Sequence, residues 1–228
     1  MKRIKLKERK LPDYTRGEEI FNMVSHIVGG GFGVIALVTC VIKAAMTGGA
    51  LDIVGAAVYG VSMIVLYTMS SLYHGLRPLT AKKVFQIIDH CTIYLLIAGT
   101  YTPISLTGLM RESKWLGWGV FGAVWACAAL GIVFNSIDLR RYRAVSMVLY
   151  ILMGWCIIFT GGAAIRALTL AGFLWILGGG IVYTVGTIFY GVAALGKKPH
   201  RYIHSVFHLF VVAASVLQYI GIILYLYR

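Results

Sequence analysis

Near its C-terminus the chain reads PHRYIHSVFHLFVVAAS over residues 199–215. His200, His204 and His208 follow one another at i, i+4 spacing as a long apolar segment begins, and in a helix that spacing stacks side chains on one face. Two imidazoles one turn apart can grip one metal ion. Histidine is costly in hydrocarbon, so a row of them at the start of a membrane helix marks a functional site.

Partners for that row are present elsewhere in the chain. Ser70 and His74 lie one turn apart within SSLYH at 70–74, and Asp89-His90 follows in the next apolar stretch. An ionised carboxylate at the position of Asp89 is expensive unless a cation or hydrogen bonds meet it. His74, His204 and His208 together make a three-nitrogen zinc set with an open fourth position, which is the catalytic rather than the structural arrangement. Zinc would lower the pKa of a bound water towards about 7 and polarise a substrate carbonyl. Asp89 would hold that water or act as general base, and Ser70 would hydrogen-bond the water or a developing oxyanion.

Blander roles stand beside these. His26 and His90 fit helix-to-helix hydrogen bonds or support of the metal ligands, and His200 fits a headgroup-facing position. Serine in a membrane helix commonly bonds its own i−4 carbonyl, which is the alternative for Ser70. Glu18, Asn22 and His26 form another i, i+4, i+8 row, either orienting the site or forming the polar face of an interfacial helix.

The elements that must hold these residues are apolar. Of the 228 residues 59% are hydrophobic and 13% charged, against about 45–50% and about 25% in soluble domains. Such a chain cannot hide its apolar residues in an ordinary core, and it reads as a polytopic membrane protein. Seven stretches each approach the roughly 20 residues needed to cross a bilayer: 24–46, 52–76, 84–109, 115–134, 144–165, 172–195 and 202–226. The expected fold is all-α, a seven-transmembrane helix bundle over 24–228 preceded by a basic cytoplasmic segment, 1–23. The charged start MKRIKLKERK is not followed by a cleavable signal pattern. Pro103 is expected to kink the third helix.

Of the 21 Lys and Arg, sixteen fall in the N-terminal tail and alternate loops on one side. The positive-inside rule then puts the N-terminus in the cytoplasm and the C-terminus outside, in the inner (plasma) membrane. All six histidines fall at the cytoplasmic ends of helices on this topology. The net charge of +13 is explained by anionic lipid and topology, so no nucleic acid partner is expected. Cys40, Cys91, Cys127 and Cys156 all lie in apolar stretches without zinc-ligand spacing, and read as small buried hydrophobes. Glycine clusters at 29–33 and 178–180 read as helix-packing surfaces, since no strand precedes them to make a nucleotide loop.

Four stretches also carry a resemblance: Glu18-x3-Asn22-x3-His26, SSLYH at 70–74, DHCTIYLLIAGTYTP at 89–103 and HSVFHLFVVAAS at 204–215. They resemble the hemolysin III family of bacterial membrane proteins, related to the progestin and adiponectin receptors and more remotely to alkaline ceramidases. The resemblance covers nearly the whole chain. It implies a seven-helix fold with a cytoplasmic N-terminus and a zinc ion near the inner face. His74, His204 and His208 match its zinc histidines, and Asp89 and Ser70 match the accompanying acid and serine.

Together these readings predict a zinc-dependent hydrolase of lipid amides or esters, with membrane lipids as its surroundings and substrate source. A receptor-like lipid or energetics sensor with structural zinc is the alternative. A pore-forming hemolysin is the third reading, and it is disfavoured because polar residues gather at one end of the helices.

Overall fold

The computed structural model describes residues 6–195 and 201–228. Every regular element among them is helical: α1 (Arg16–Thr47), α2 (Ala50–Gly75), α3 (Leu79–Pro103), α4 (Lys114–Asp138), α5 (Arg143–Gly154), α6 (Gly161–Leu195) and α7 (Ile203–Tyr225), with short turns between them. Six helical stretches in the described residues are long and apolar enough to cross a membrane. The all-α membrane class expected above is therefore observed.

α1 begins at Arg16 behind a capping box, in which the Thr15 hydroxyl accepts from the Glu18 N–H and the Glu18 carboxylate accepts from the Thr15 N–H. α3, with the helical turns that continue it to Glu112, is the most deeply buried of the apolar spans in the described residues. It does not stop at Pro103. The chain continues in π-helical geometry over Ile104–Leu109, which accommodates the donor that proline lacks.

The stretch 144–165 differs most from expectation. It is broken at Trp155 into α5 and a single turn, Cys156–Phe159, before α6 begins. Its continuous hydropathy conceals the break, because the stabilising group comes from α3. The Tyr101 hydroxyl donates to the Gly154 carbonyl at 2.8 Å and accepts the Ile157 N–H at 2.9 Å. Both freed backbone groups are thereby satisfied, as a low-dielectric setting demands. α6 is itself two helices joined at Thr169, whose φ of 68° interrupts the helical path.

Packing within the bundle uses small residues, since lipid supplies no hydrophobic drive between helices. A Cβ at Gly29 would lie 2.7 Å from the Tyr67 ring, and one at Gly33 would lie 3.2 Å from the Ile64 backbone nitrogen, so α1 meets α2 where side chains are missing.

Charged side chains gather at the two ends. At one, Glu18, Glu19 and Lys82 adjoin the starts of α1, α3 and α7, and the Arg143 guanidinium lies 5.9 Å over the Tyr190 ring. At the other, Arg111 faces Asp52 at 3.6 Å, Arg166 pairs with Glu112, and Arg228 donates to the Arg166 and Ala167 carbonyls. His200, Lys197 and Lys198 lie outside the described residues.

Candidate metal centre

Two helices, α2 and α7, bring His74, His204 and His208 together at the first of these ends. One ring nitrogen from each lies within 4.8 Å of the others, away from solvent. The His204 and His208 Nε2 atoms are 3.1 Å apart. This i, i+4 pair is set by the start of α7. Tyr202 adopts a left-handed conformation (φ 59°) just before the helix, and its N–H is held by Glu18 Oε1 at 2.7 Å.

Hydrogen bonds on the far side of two rings fix which nitrogen carries the proton. His74 donates Nδ1–H to Glu19 Oε2 at 2.7 Å, and His208 donates Nδ1–H to the Asn22 carbonyl at 3.2 Å. Each Nε2 is left with its lone pair, and that of His74 is buried without a hydrogen-bond partner. An orphaned buried acceptor facing two more imidazoles is the donor set that zinc takes up, and the carboxylate behind His74 is the support such ligands ordinarily have. The three histidines thus fit a metal ion.

Glu19 is held in turn. Lys82 Nζ lies 2.9 Å from Glu19 Oε1 and also donates to the Tyr73, His74 and Leu76 carbonyls. One ammonium therefore caps the end of α2 and pins α1 and α3 to it. Above the cluster, the Tyr14 ring stacks on His204 at 5.2 Å and 19°, and its centroid is 5.6 Å from His74. Burial raises the Tyr14 phenol far above its ordinary pKa, so it covers the rings as a neutral group.

Of the other residues singled out in the sequence, Asp89 and Ser70 line the same cavity as His204 and His208. Asp89 is buried but stands outside the mutual 4.8 Å set of nitrogens, and its nearest ionic neighbour is His90 Nδ1 at 3.7 Å. The Ser70 hydroxyl is buried and makes no hydrogen bond. The i−4 back-bond considered for it is thus not formed, whereas Ser71 makes that bond to Tyr67 at 2.7 Å. His90 donates Nδ1–H to the Gln86 carbonyl, a packing role. His26 stacks on His208 with centroids 3.7 Å apart and both its nitrogens unpartnered. Asn22 accepts from the Ser205 hydroxyl at 2.6 Å, so the Glu18, Asn22, His26 row is a buried scaffold for α7.

Sequence reasoning did not single out Glu19, Lys82 or Tyr14. Glu19 adjoins the Glu18 row, and only the rotation of α1 decides which carboxylate reaches His74.

The cavity holds about 670 Å³. It begins at the N-terminal segment near Arg9 and Pro12, passes His204, His208, Asp89 and Ser70, and ends between Tyr101, Trp155 and Tyr183. From Asp89 to Tyr101 along α3 is roughly 18 Å at 1.5 Å per residue. Its deep part is walled mainly by apolar and aromatic side chains, so it suits a long apolar group with a polar end at the cluster.

Comparison with known proteins agrees with the sequence motifs. A family model described as "Haemolysin-III related" matches residues 14–219. The chain is 39% identical over 208 residues to Hemolysin-3 of Bacillus cereus, covering 91% of each chain. It is 39% identical over 212 residues to the Hemolysin-3 homolog of Bacillus subtilis (strain 168), covering 93% of this chain and 96% of that one. Human monocyte to macrophage differentiation factor is 28% identical over 180 residues, 75% of this chain and 70% of that protein. With the matched region spanning every helix that carries a cluster residue, the chain belongs to the haemolysin-III family.

Proposed function

We propose that the chain is a zinc-dependent hydrolase of lipid amides or esters, working at the cytoplasmic end of a seven-span bundle in the plasma membrane. The observation that carries this reading is a cluster of three buried histidines, two of which, His204 and His208, line a cavity long enough for an acyl chain. His74, His204 and His208 would hold the ion. Bound zinc supplies Lewis acidity to a carbonyl and acidifies water.

The protein's own groups supply the rest. The apolar wall between Ser70 and Trp155 takes the acyl chain and orients its carbonyl towards the histidines. The Ser70 hydroxyl, which has no partner in the fold, donates to the carbonyl oxygen as negative charge develops there. The Asp89 carboxylate accepts a proton from the attacking water and returns it to the leaving nitrogen or oxygen. Tyr14 and the segment around Pro12 exclude bulk water from the same space.

Seven crossings are supported by the course of residues 143–168. Arg143 lies beside Tyr190 near the histidines, Arg166 lies beside Glu112 and Arg228 at the opposite end, and Thr169 turns the chain. A cytoplasmic histidine end follows from the sixteen basic residues assigned to that side.

A sensor with structural zinc is the second reading, favoured by the N-terminal cover: Tyr14 and the bonds from Arg201 to Asp13 close the cluster from outside. A pore is disfavoured, because the ion pairs described lie at the two ends. The test is fatty-acid release by zinc-loaded protein in lipid discs containing a ceramide-like amide or an acyl ester. Product from wild type and none from His208→Ala supports hydrolysis. Zinc retention with no product from either substrate class overturns it in favour of the sensor.

A further inference from the structure

His26 borders two spaces. It lines the metal-centre cavity, and it also lines a separate groove of about 570 Å³ between α1 and α2. The groove is apolar: Ile27 and Val34 on α1 face Ile64 and Leu72 on α2, over a floor of Gly30 and Gly31. It exists because side chains are missing. A Cβ at Gly31 would meet nothing within 4 Å, whereas the neighbouring Gly29 is filled from behind by the Tyr67 ring.

The groove's inner end is where the unusual chemistry lies. His26 is 4% exposed, and neither ring nitrogen has a hydrogen-bond partner. Its face is taken by His208 at 3.7 Å and its side by Tyr67 at 5.0 Å, 75° from coplanar, so the ring cannot readily turn to find another partner. A buried imidazole N–H without an acceptor costs about 1–3 kcal/mol, which calls for a partner from outside the fold.

We propose that the α1–α2 groove binds one acyl chain of a bilayer lipid, with the lipid's ester or amide carbonyl accepting a hydrogen bond from His26. The surroundings select this occupant. Val28, Ile35 and Val38 on α1 are all about half exposed or more, so the groove opens on a surface that hydrocarbon covers. Between His26 and Val34 the groove follows α1 for roughly 12 Å at 1.5 Å per residue, a path that a flexible chain can fill. A second copy packing through α1 would bring Ile27, Val28 and Ile35 to the groove, none of which offers His26 an acceptor. The groove site is independent of whether the histidine centre hydrolyses anything.

The experiment uses the full chain in phosphatidylcholine discs doped with a phosphatidylcholine bearing a photoreactive acyl chain, with adducts mapped by peptide mass spectrometry. In wild type, adducts concentrate on 27–34 and 64–72 relative to the exposed α4 positions Leu130 and Val133. Gly31→Leu fills the groove in open space, so its adducts there fall to the α4 level while metal content is unchanged. His26→Phe keeps the ring and removes both nitrogens, and the groove adducts fall about fivefold, the equivalent of one lost hydrogen bond. Adducts no denser than on α4 in wild type, or equal in all three proteins, overturn the site. A photo-crosslinked dimer joined through α1 overturns it in favour of a second copy.

Discussion

The His74 Nδ1 to Glu19 Oε2 hydrogen bond, 2.7 Å long, joins the end of α2 to the start of α1 and leaves the other His74 nitrogen facing His204 and His208. A carboxylate in that position orients the ring and raises its basicity as a ligand. Glu19→Gln preserves shape and removes the charge. It is expected to weaken zinc affinity by about 10- to 100-fold, measured by competition against a chelator of known affinity. An affinity equal to wild type would show that Glu19 does not support the ligand.

Metal and fold should be coupled through α2 and α7, which carry the three histidines. Zinc at 100 times its dissociation constant stabilises the folded state by about 2.7 kcal/mol when the unfolded chain does not bind it. Thermal unfolding in detergent should therefore shift upward on adding zinc to wild type and stay fixed for His204→Ala. An equal shift in both proteins would place the bound zinc elsewhere.

Tyr14 covers the cluster without being a ligand. Stacked aromatic pairs contribute about 0.5–1.5 kcal/mol, so Tyr14→Ala should raise the rate of zinc loss to a chelator by about twofold to tenfold. Equilibrium zinc content should change little. An unaltered loss rate would mean that metal leaves by another path.

The break after α5 offers a stability test with an internal control. Tyr101→Phe strands the partly buried Gly154 carbonyl and the buried Ile157 N–H, and should cost about 1–3 kcal/mol. Tyr59→Phe removes a buried hydroxyl that has no partner, and should be neutral or stabilising. Equal melting temperatures for the two variants would show that Tyr101 does not hold the break.

Much of the centre was legible because it is periodic. His204 and His208 share a helix face by spacing alone, and the buried row Glu18, Asn22, His26 follows the same rule. What spacing cannot supply is the relation between helices. Glu18 and Glu19 are neighbours about 100° apart on α1, yet one holds the Tyr202 N–H and the other His74. Asp89 was legible as a carboxylate inside a helix, but its standing outside the nitrogen set is decided by how α3 packs on α2. The break at Trp155 was hidden for a similar reason, since the hydroxyl that satisfies it is 53 residues away from Gly154.

The central claim is that His74, His204 and His208 hold a metal ion. The most direct measurement is elemental analysis of purified wild type beside His208→Ala, His204→Ala and His26→Ala. The account predicts one zinc per chain in wild type, loss in the first two variants and a smaller reduction in His26→Ala. Equal metal content in all four proteins, or no zinc in wild type after loading, would contradict it.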